Sequence, residues 1–549
     1  MDNYRLILIV SLAFLSVMLW SSWQNDYNNS VSAQVGNQAN PVKPTGSDIP
    51  EARVEPQGNT SLPSESKEST QNNTKGERIL VRTDVLSLEL DTQGGTIKEL
   101  DLLEYPLSPE NDDIPFRLMS DNPNNYFIAQ SGLLSDESVD VPNHKKTYRA
   151  EKRDYALAEN SDELSVLLRW KSDNLEVEKI YEFQRGSYEI KLIHRIKNLS
   201  SSDLPIRDYR QFMRGNNSMS QESAFIYTYT GGAIFSPEEK FSKLDFDELA
   251  KETLSKDVTG GWIAMMQHYF LGAFIPDHDK PQHFYSKKAS DERFILGLYS
   301  ASKNLAPGES AEFTGRMWLG PKLQEHLEDV APGLELTTDY GWLTVIAKPL
   351  FWILKSIHDL VGNWGWAIVL LTVLIKLAFY RLSAASYRSM AGMRQLAPRL
   401  QQIKERYGDD KEKFNKAMME LYQKEKINPV GGCLPILVQI PVFIALYWVL
   451  LESVELRNAP FILWIDNLSV KDPYYILPLV MGVSMYIQQK LNPAPPDPLQ
   501  AKIMMSLPFI FTVFFAFFPS GLVLYWVVNN LLSILQQWRI TKLIEAKGN

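Results

Sequence analysis

Lys376 is the residue of this sequence that most needs a chemical explanation. It stands in the apolar run Trp364–Tyr380, one helical turn beyond Thr372. A lysine near the centre of a membrane-crossing helix costs roughly 2.5–3.5 kcal/mol on insertion scales, so it faces protein or water. Two readings are open. Tyr380 is close enough for the amine to snorkel to the membrane surface. Alternatively, the charge is held inside as an attractor for anionic groups. Other chemistry is hard to find. The chain has no CxxC, HExxH or P-loop pattern, its seven histidines lack metal spacing, and Cys433 is the sole cysteine. No pair of catalytic groups stands out, so neither a covalent catalytic step, a metal nor a cofactor is expected.

The other polar residues in apolar surroundings form thin stripes. Gln439 lies in Leu434–Leu451, Ser484 and Gln488 in Tyr474–Ile487, and Ser506 and Thr512 in Ile503–Phe518. Tyr525, Asn529 and Ser533 recur every four residues in Gly521–Trp538. Facing together, the stripes would line a water-filled cavity. Facing in pairs, they would be interhelical hydrogen-bond glue. Glue accounts well for the uncharged residues. It accounts badly for Lys376, because none of the five segments holds an acidic residue.

The elements that position these residues follow from hydropathy and charge. The five segments read as membrane spans, several of them short against the roughly 20 residues a bilayer needs. Pro519–Ser520–Gly521 separates the last two. Residues 381–426 carry eleven Lys/Arg against six Asp/Glu, and 452–473 carry two against four. The first loop is therefore expected inside and the second outside. With an apolar anchor at 1–23, both termini are cytoplasmic. The formal net charge is -9, but residues 24–340 alone carry 34 basic against 51 acidic residues. That acidic stretch belongs in the periplasm.

Within it, residues 24–76 are rich in Asn, Ser, Gln and Pro and read as a flexible tether. Residues 77–335 read as an all-β domain. Leu86, Leu88 and Leu90 alternate with polar residues before Gly94–Gly95, and Tyr188, Ile190, Leu192, His194 and Ile196 form a second stripe after Arg185–Gly186. His194 is read as a hydrogen-bonded core residue rather than a ligand. Residues 340–361 hold an amphipathic interfacial helix. Its apolar face is Leu350, Ile353, Leu354, Ile357 and Leu360, Pro349 suits its first turn, and Gly362–Asn363 stops it. Residues 362–382 make the second span and 431–538 the third to sixth. Residues 383–430 read as a cytoplasmic helical hairpin, with Met390, Met393, Leu396, Leu400, Ile403 and Tyr407 along one arm. Gly408 ends that arm, Asp409 caps the next, and Phe414, Met418, Leu421 and Tyr422 line it. The methionines suit either packing between the arms or adaptable contact with apolar clients. Residues 539–549 form a short tail.

The runs GNWGWAIVLLTVLIKLAFY (362–380), INPVGGCLPILVQIPVFIALYWVL (427–450), VELRNAPFILWIDNL (454–468), DPYYILPLVMG (472–482) and FPSGLVLYWVVNNLL (518–532) resemble the YidC insertases of Gram-negative bacteria. The resemblance spans the chain. It implies a multi-domain inner-membrane protein: an N-terminal anchor, a periplasmic β-super-sandwich, a cytoplasmic hairpin and a five-span α-helical core. It further implies a hydrophilic groove open to cytoplasm and lipid. Lys376, Thr372, Gln439 and Tyr525 match groove positions, and Ile440, Phe443 and Trp526 match the apolar slide along which clients leave. The clients are nascent inner-membrane proteins. The implied partners are the SecYEG translocon, SecD/SecF and the lipid bilayer, with the ribosome a further candidate and no nucleic acid.

Three departures from the family pattern stand out. Many relatives have Arg at the position of Lys376, so bidentate pairing is lost while simple attraction is kept. Arg381 follows Tyr380 where relatives tend to have proline, so the helix is expected to run on there. The tail is weakly basic and does not support ribosome docking through it. Two other functions compete. A small-anion transporter would be expected to show repeats and paired ionisable residues. An anchored carbohydrate-binding protein leaves five apolar segments unexplained.

Overall fold

The computed structural model describes residues 48–50, 76–135, 139–216, 228–289, 292–407, 410–425, 434–492 and 498–548. The expected anchor at 1–23, most of the tether, Gly408, Asp409 and Cys433 lie outside them.

The alternation along Leu86–Asp91 and Glu189–Asn198 produces strands whose apolar faces meet. Leu86, Leu88 and Leu90 lie in an eleven-stranded sheet, and Tyr188, Ile190, Leu192 and Ile196 in or beside a nine-stranded one. All seven share one buried core, so the two sheets pack face to face. Pairing is antiparallel except where Arg78–Arg82 runs parallel to Asp154–Ala156. Two short helices, α1 (Phe246–Lys251) and α2 (Gln324–Val330), close the domain. His194 is fully buried and its Nδ1 meets Asp208 at 2.5 Å; Asp208 also takes Arg210 at 2.7 Å. Lys179 beside them donates to the carbonyls of Gly94 and Ser131 at 2.6 and 3.1 Å. His194 is thus a hydrogen-bonded core residue.

The helices that follow are α3 (Thr344–Val361), α4 (Trp364–Ala378), α5 (Tyr380–Gln395), α6 (Ala397–Tyr407), α7 (Lys411–Lys424), α8 (Leu434–Glu452), α9 (Ile476–Leu491), α10 (Pro498–Phe515) and α11 (Ser520–Gly548). Gly362 in the left-handed region ends α3, and the Asn363 side chain caps α4 by accepting from the Trp366 amide. No single described helix is long and apolar enough to cross a membrane; α4 and α5 reach that length together, with a bend of 67°.

Several expectations are corrected. Helix α3 begins at Thr344, so Pro349 lies inside it rather than in its first turn. Its buried face is Ala347, Leu350, Phe351 and Leu354, whereas Leu360 is 85% exposed near the helix end. A second apolar face, with Val345 and Trp352 below Trp342, is open. The chain does not run straight past Tyr380, because the turn at Phe379 bends it. The first arm of the polar segment is two helices, broken at Leu396 before Ala397–Pro398. Pro398 lacks the N–H that would continue the ladder to the Arg394 carbonyl. The second arm is capped by Asp410, which accepts from the Lys413 amide at 3.1 Å, one residue later than expected.

Candidate functional site

Lys376 sits in the last turn of α4, pointing into the bundle. Its side chain is 8% exposed, and Nζ donates to Ser533 Oγ of α11 at 2.8 Å. Ser533 in turn donates to the Asn529 carbonyl at 2.7 Å. The Tyr387 hydroxyl of α5 also meets Ser533. Three helices therefore converge on one serine hydroxyl. No carboxylate lies within 4 Å of the amine among the described residues. Thr372, one turn earlier, is buried and donates back to the Ile368 carbonyl at 2.7 Å. It turns no free donor toward Lys376.

The aromatic positions come together two turns earlier along α11. Phe443 of α8 stacks on Tyr525 (centroids 5.9 Å) and meets Trp526 edge-on at 4.9 Å. Trp526 also packs on Phe515 of α10 at 5.5 Å. Trp526 Nε1 is buried without a partner among the described residues. Ile440, one turn before Phe443, is largely exposed. Gln439 is half-buried and makes no hydrogen bond with Lys376. Met390 and Met393 are half-buried on α5, and Met418 on α7.

The five stripes do not all face one space. Ser506 is exposed and donates to its own helix at Ile503. Ser484 is buried and accepts from Asn530 at 3.1 Å, and Gln537 donates to the Leu491 carbonyl at 3.1 Å. These join α9 to α11 and are glue. Asn530 and Gln537 escape a reading by periodicity because the spacing of four selects Tyr525, Asn529 and Ser533. Tyr387 escapes it too, since it lies in the polar segment.

Helix and sandwich meet through the loop after α8. Arg457 donates to the carbonyls of Pro106 and Leu107 at 2.7 and 2.9 Å and lies over the rings of Phe116 and Phe270. His268 Nε2 meets the Leu451 carbonyl at 2.9 Å. Burial, with Lys322 and Arg457 nearby, pushes the His268 ring down to about 3. Burial also pulls the Lys322 amine down, against the opposing charge of Glu452.

One arrangement of catalytic type was not anticipated. Ser255 Oγ lies 3.1 Å from His283 Nε2, whose Nδ1 lies 2.6 Å from Asp257. Asp257 is 79% exposed, so solvent screens the charge that such a relay needs buried. The three residues clasp the strand Ser255–Thr259 to Pro281–Lys288.

The chain joins a large β-sandwich to an apolar helical unit. The sequence comparisons place it. Residues 78–353 match the model of the YidC periplasmic domain, and 356–547 match that of the 60Kd inner membrane protein. The membrane protein insertase YidC of Thioalkalivibrio sulfidiphilus is 50% identical over 563 residues, covering 100% of both chains. That of Alkalilimnicola ehrlichii is 49% identical over 548 residues (100% of this chain, 96% of the relative), and that of Methylococcus capsulatus 50% over 547 (99% of each). A solved structure described as an active YidC insertase aligns with a TM-score of 0.37 at 18% identity, over 84% of this chain and 94% of that one. The chain belongs to the YidC family of inner-membrane proteins, with a mostly β periplasmic domain and a C-terminal helical region.

Proposed function

We propose that this protein is a membrane protein insertase and chaperone. It moves transmembrane segments of newly made inner-membrane proteins into the bilayer through a hydrophilic groove around Lys376. The observation that carries this reading is the buried Lys376 amine, held by Ser533 with no carboxylate beside it among the described residues. A structural ion pair would keep its counter-charge. An amine bonded only to neutral groups keeps its attraction for a visiting anion.

The mechanism follows from solvation. A client's polar tail meets a high desolvation cost in hydrocarbon. A hydrated groove, bounded by Thr372, Gln439 and Tyr525, shortens the dry path, and Lys376 attracts an acidic tail. Short helices that thin the bilayer shorten it further. The client's apolar helix leaves sideways past Ile440, Phe443 and Trp526, where burying each CH2 contributes about 0.8 kcal/mol. The membrane potential acting on acidic tails adds to this drive. No covalent step or cofactor is required.

In this reading α4, α8, α9, α10 and α11 are the spans that follow the anchor, and both termini are cytoplasmic. Helix α3 lies in the periplasmic interface, with Trp342 and Trp352 toward lipid. Met390, Met393 and Met418 give the cytoplasmic segment an adaptable apolar surface for clients. The protein works alone or beside SecYEG with SecD/SecF, and the ribosome is a further candidate partner.

Two experiments test the proposal. Depletion of the protein should abolish insertion of small single-span and double-span proteins. Photocrosslinkers at Lys376, Gln439, Phe443 and Tyr525 should capture a stalled nascent chain. If insertion continues after depletion and no position crosslinks, the reading fails.

A further inference from the structure

The strand Leu204–Gly215 presents its residues alternately to the two faces of the eleven-stranded sheet. Phe212 joins the core between the sheets, whereas Tyr209 and Met213 lie in a separate cluster on the outer face with Ile128, Tyr285 and Tyr299. The outer face of an antiparallel sheet commonly meets water, yet Tyr209 and Gln211 are fully buried there. Part of the cover is Asp48–Ile49–Pro50, the described part of the expected tether. Ile49 packs on the cluster and Pro50 is buried.

The site is built for that segment. Tyr285 donates to Gln211 Oε1 at 2.6 Å, which fixes the amide and leaves two donors on Nε2. One goes to Gln130 Oε1 at 2.8 Å, the other to the Asp48 carbonyl at 3.1 Å. Without the segment a fully buried N–H would be unpaired, at the full desolvation penalty.

The carboxylate of Asp48 is read as well. The Tyr209 hydroxyl accepts from the His144 amide at 3.0 Å and lies 2.6 Å from His144 Nδ1. Its hydrogen therefore goes to Nδ1, and His144 Nε2–H is left to donate to Asp48 at 3.1 Å. Lys145 Nζ pairs with the other carboxylate oxygen at 2.6 Å. Pro50 has no N–H, so its burial strands no donor.

We propose that the outer face of this sheet carries a receptor for an acidic–aliphatic–proline motif, filled by Asp48–Ile49–Pro50 as a detachable strap. Filled, the site fixes both ends of residues 51–75 on the sandwich and leaves 24–47 between the domain and the expected anchor. Emptied by a competing segment of the same chemistry, it makes 24–75 one connection. The strap belongs to the same chain and acts at an effective concentration on the order of millimolar, which a competitor must exceed.

The test uses the full-length protein in phosphatidylethanolamine–phosphatidylglycerol nanodiscs, with Asp48→Ala and Ile49→Ser together emptying the site. The probe is a fluorescein-labelled peptide of residues 44–53, followed by fluorescence polarisation. Saturable binding to the emptied chain is expected, and at least tenfold weaker binding to wild type, whose own strap competes. The Asp48→Asn peptide should bind about tenfold more weakly, the loss of a charge-assisted contact. The Ile49→Ser peptide should also bind more weakly, and these peptide variants put no folding at risk. If the doubly substituted chain does not fold, the Asp48→Asn chain takes its place. Glu51→p-benzoylphenylalanine in the peptide should crosslink to residues 128–146 or 204–215. No saturable binding, equal binding to wild type, equal affinity of the substituted peptides, or no crosslink within those residues would each overturn the proposal.

Discussion

Arg457, in the loop after α8, donates to the Leu107 carbonyl at 2.9 Å across 350 residues of chain. The same guanidinium reaches the Pro106 carbonyl and two aromatic rings, so one side chain holds the sandwich on the helical unit. Asn458 adds a third bond, to Pro106, at 3.0 Å.

Arg457→Ala should therefore loosen this junction without unfolding either part. Charge-assisted hydrogen bonds contribute about 1.5–3 kcal/mol each to a site they satisfy. Hydrogen exchange at residues 105–118 should rise by at least tenfold, while far-UV circular dichroism stays unchanged. Unaltered exchange would show that Asn458 and the His268 contact suffice.

Lys376 separates charge from geometry. Lys376→Met keeps the length and loses the charge, and Lys376→Arg keeps the charge. Reconstituted insertion of an acidic-tailed client should fall about tenfold in the first, the size of one charge-assisted contact of roughly 1.4 kcal/mol. The second should stay near wild type. Equal rates in all three would remove Lys376 from the mechanism.

The junction should weaken in acid. His268 titrates near 3 when folded, against an ordinary value of 6.5, because burial and positive neighbours oppose its charged form. Below 6.5 the unfolded chain takes up the proton first, so the His268 contribution to stability falls as pH drops from about 6.5 toward 3 and is constant above that window. A tenfold difference in proton affinity between the folded and unfolded chain corresponds to about 1.4 kcal/mol, so the full loss across the window is several kcal/mol. Thermal unfolding of the wild type and of His268→Gln, compared between pH 7.5 and pH 5, should show the wild type losing stability relative to the variant.

Gly365 of α4 packs directly against Phe461 in the loop after α8. A Cβ there would lie 2.0 Å from the Phe461 ring. Gly365→Ala should displace that ring and cost about 1–3 kcal/mol. A fall in thermal stability with retained helicity is the expected readout. A stability equal to wild type would mean that the loop yields freely.

Much of this arrangement is legible in the residues alone. Period-two alternation at Leu86–Leu90 and Tyr188–Ile196 encodes strands, because opposite faces of a pleated chain meet different surroundings. The apolar runs and the break at Gly362–Asn363 encode the helices, since hydropathy and capping act locally. The lone lysine in Trp364–Tyr380 is visible as a cost that something must offset. Local rules also fail in local ways. Pro349 fits a first helical turn, yet the residues before it extend α3 past that point. The bend at Phe379 carries no proline or glycine to announce it.

What the sequence determined was which residues lie on which face of each element. Only the tertiary structure decided which faces meet. It put Ser533 against Lys376, Asn530 against Ser484, and Ser506 out at the surface. Periodicity is a property of one helix and says nothing of its neighbour. That choice is made by packing and hydrogen bonding between segments far apart in the chain.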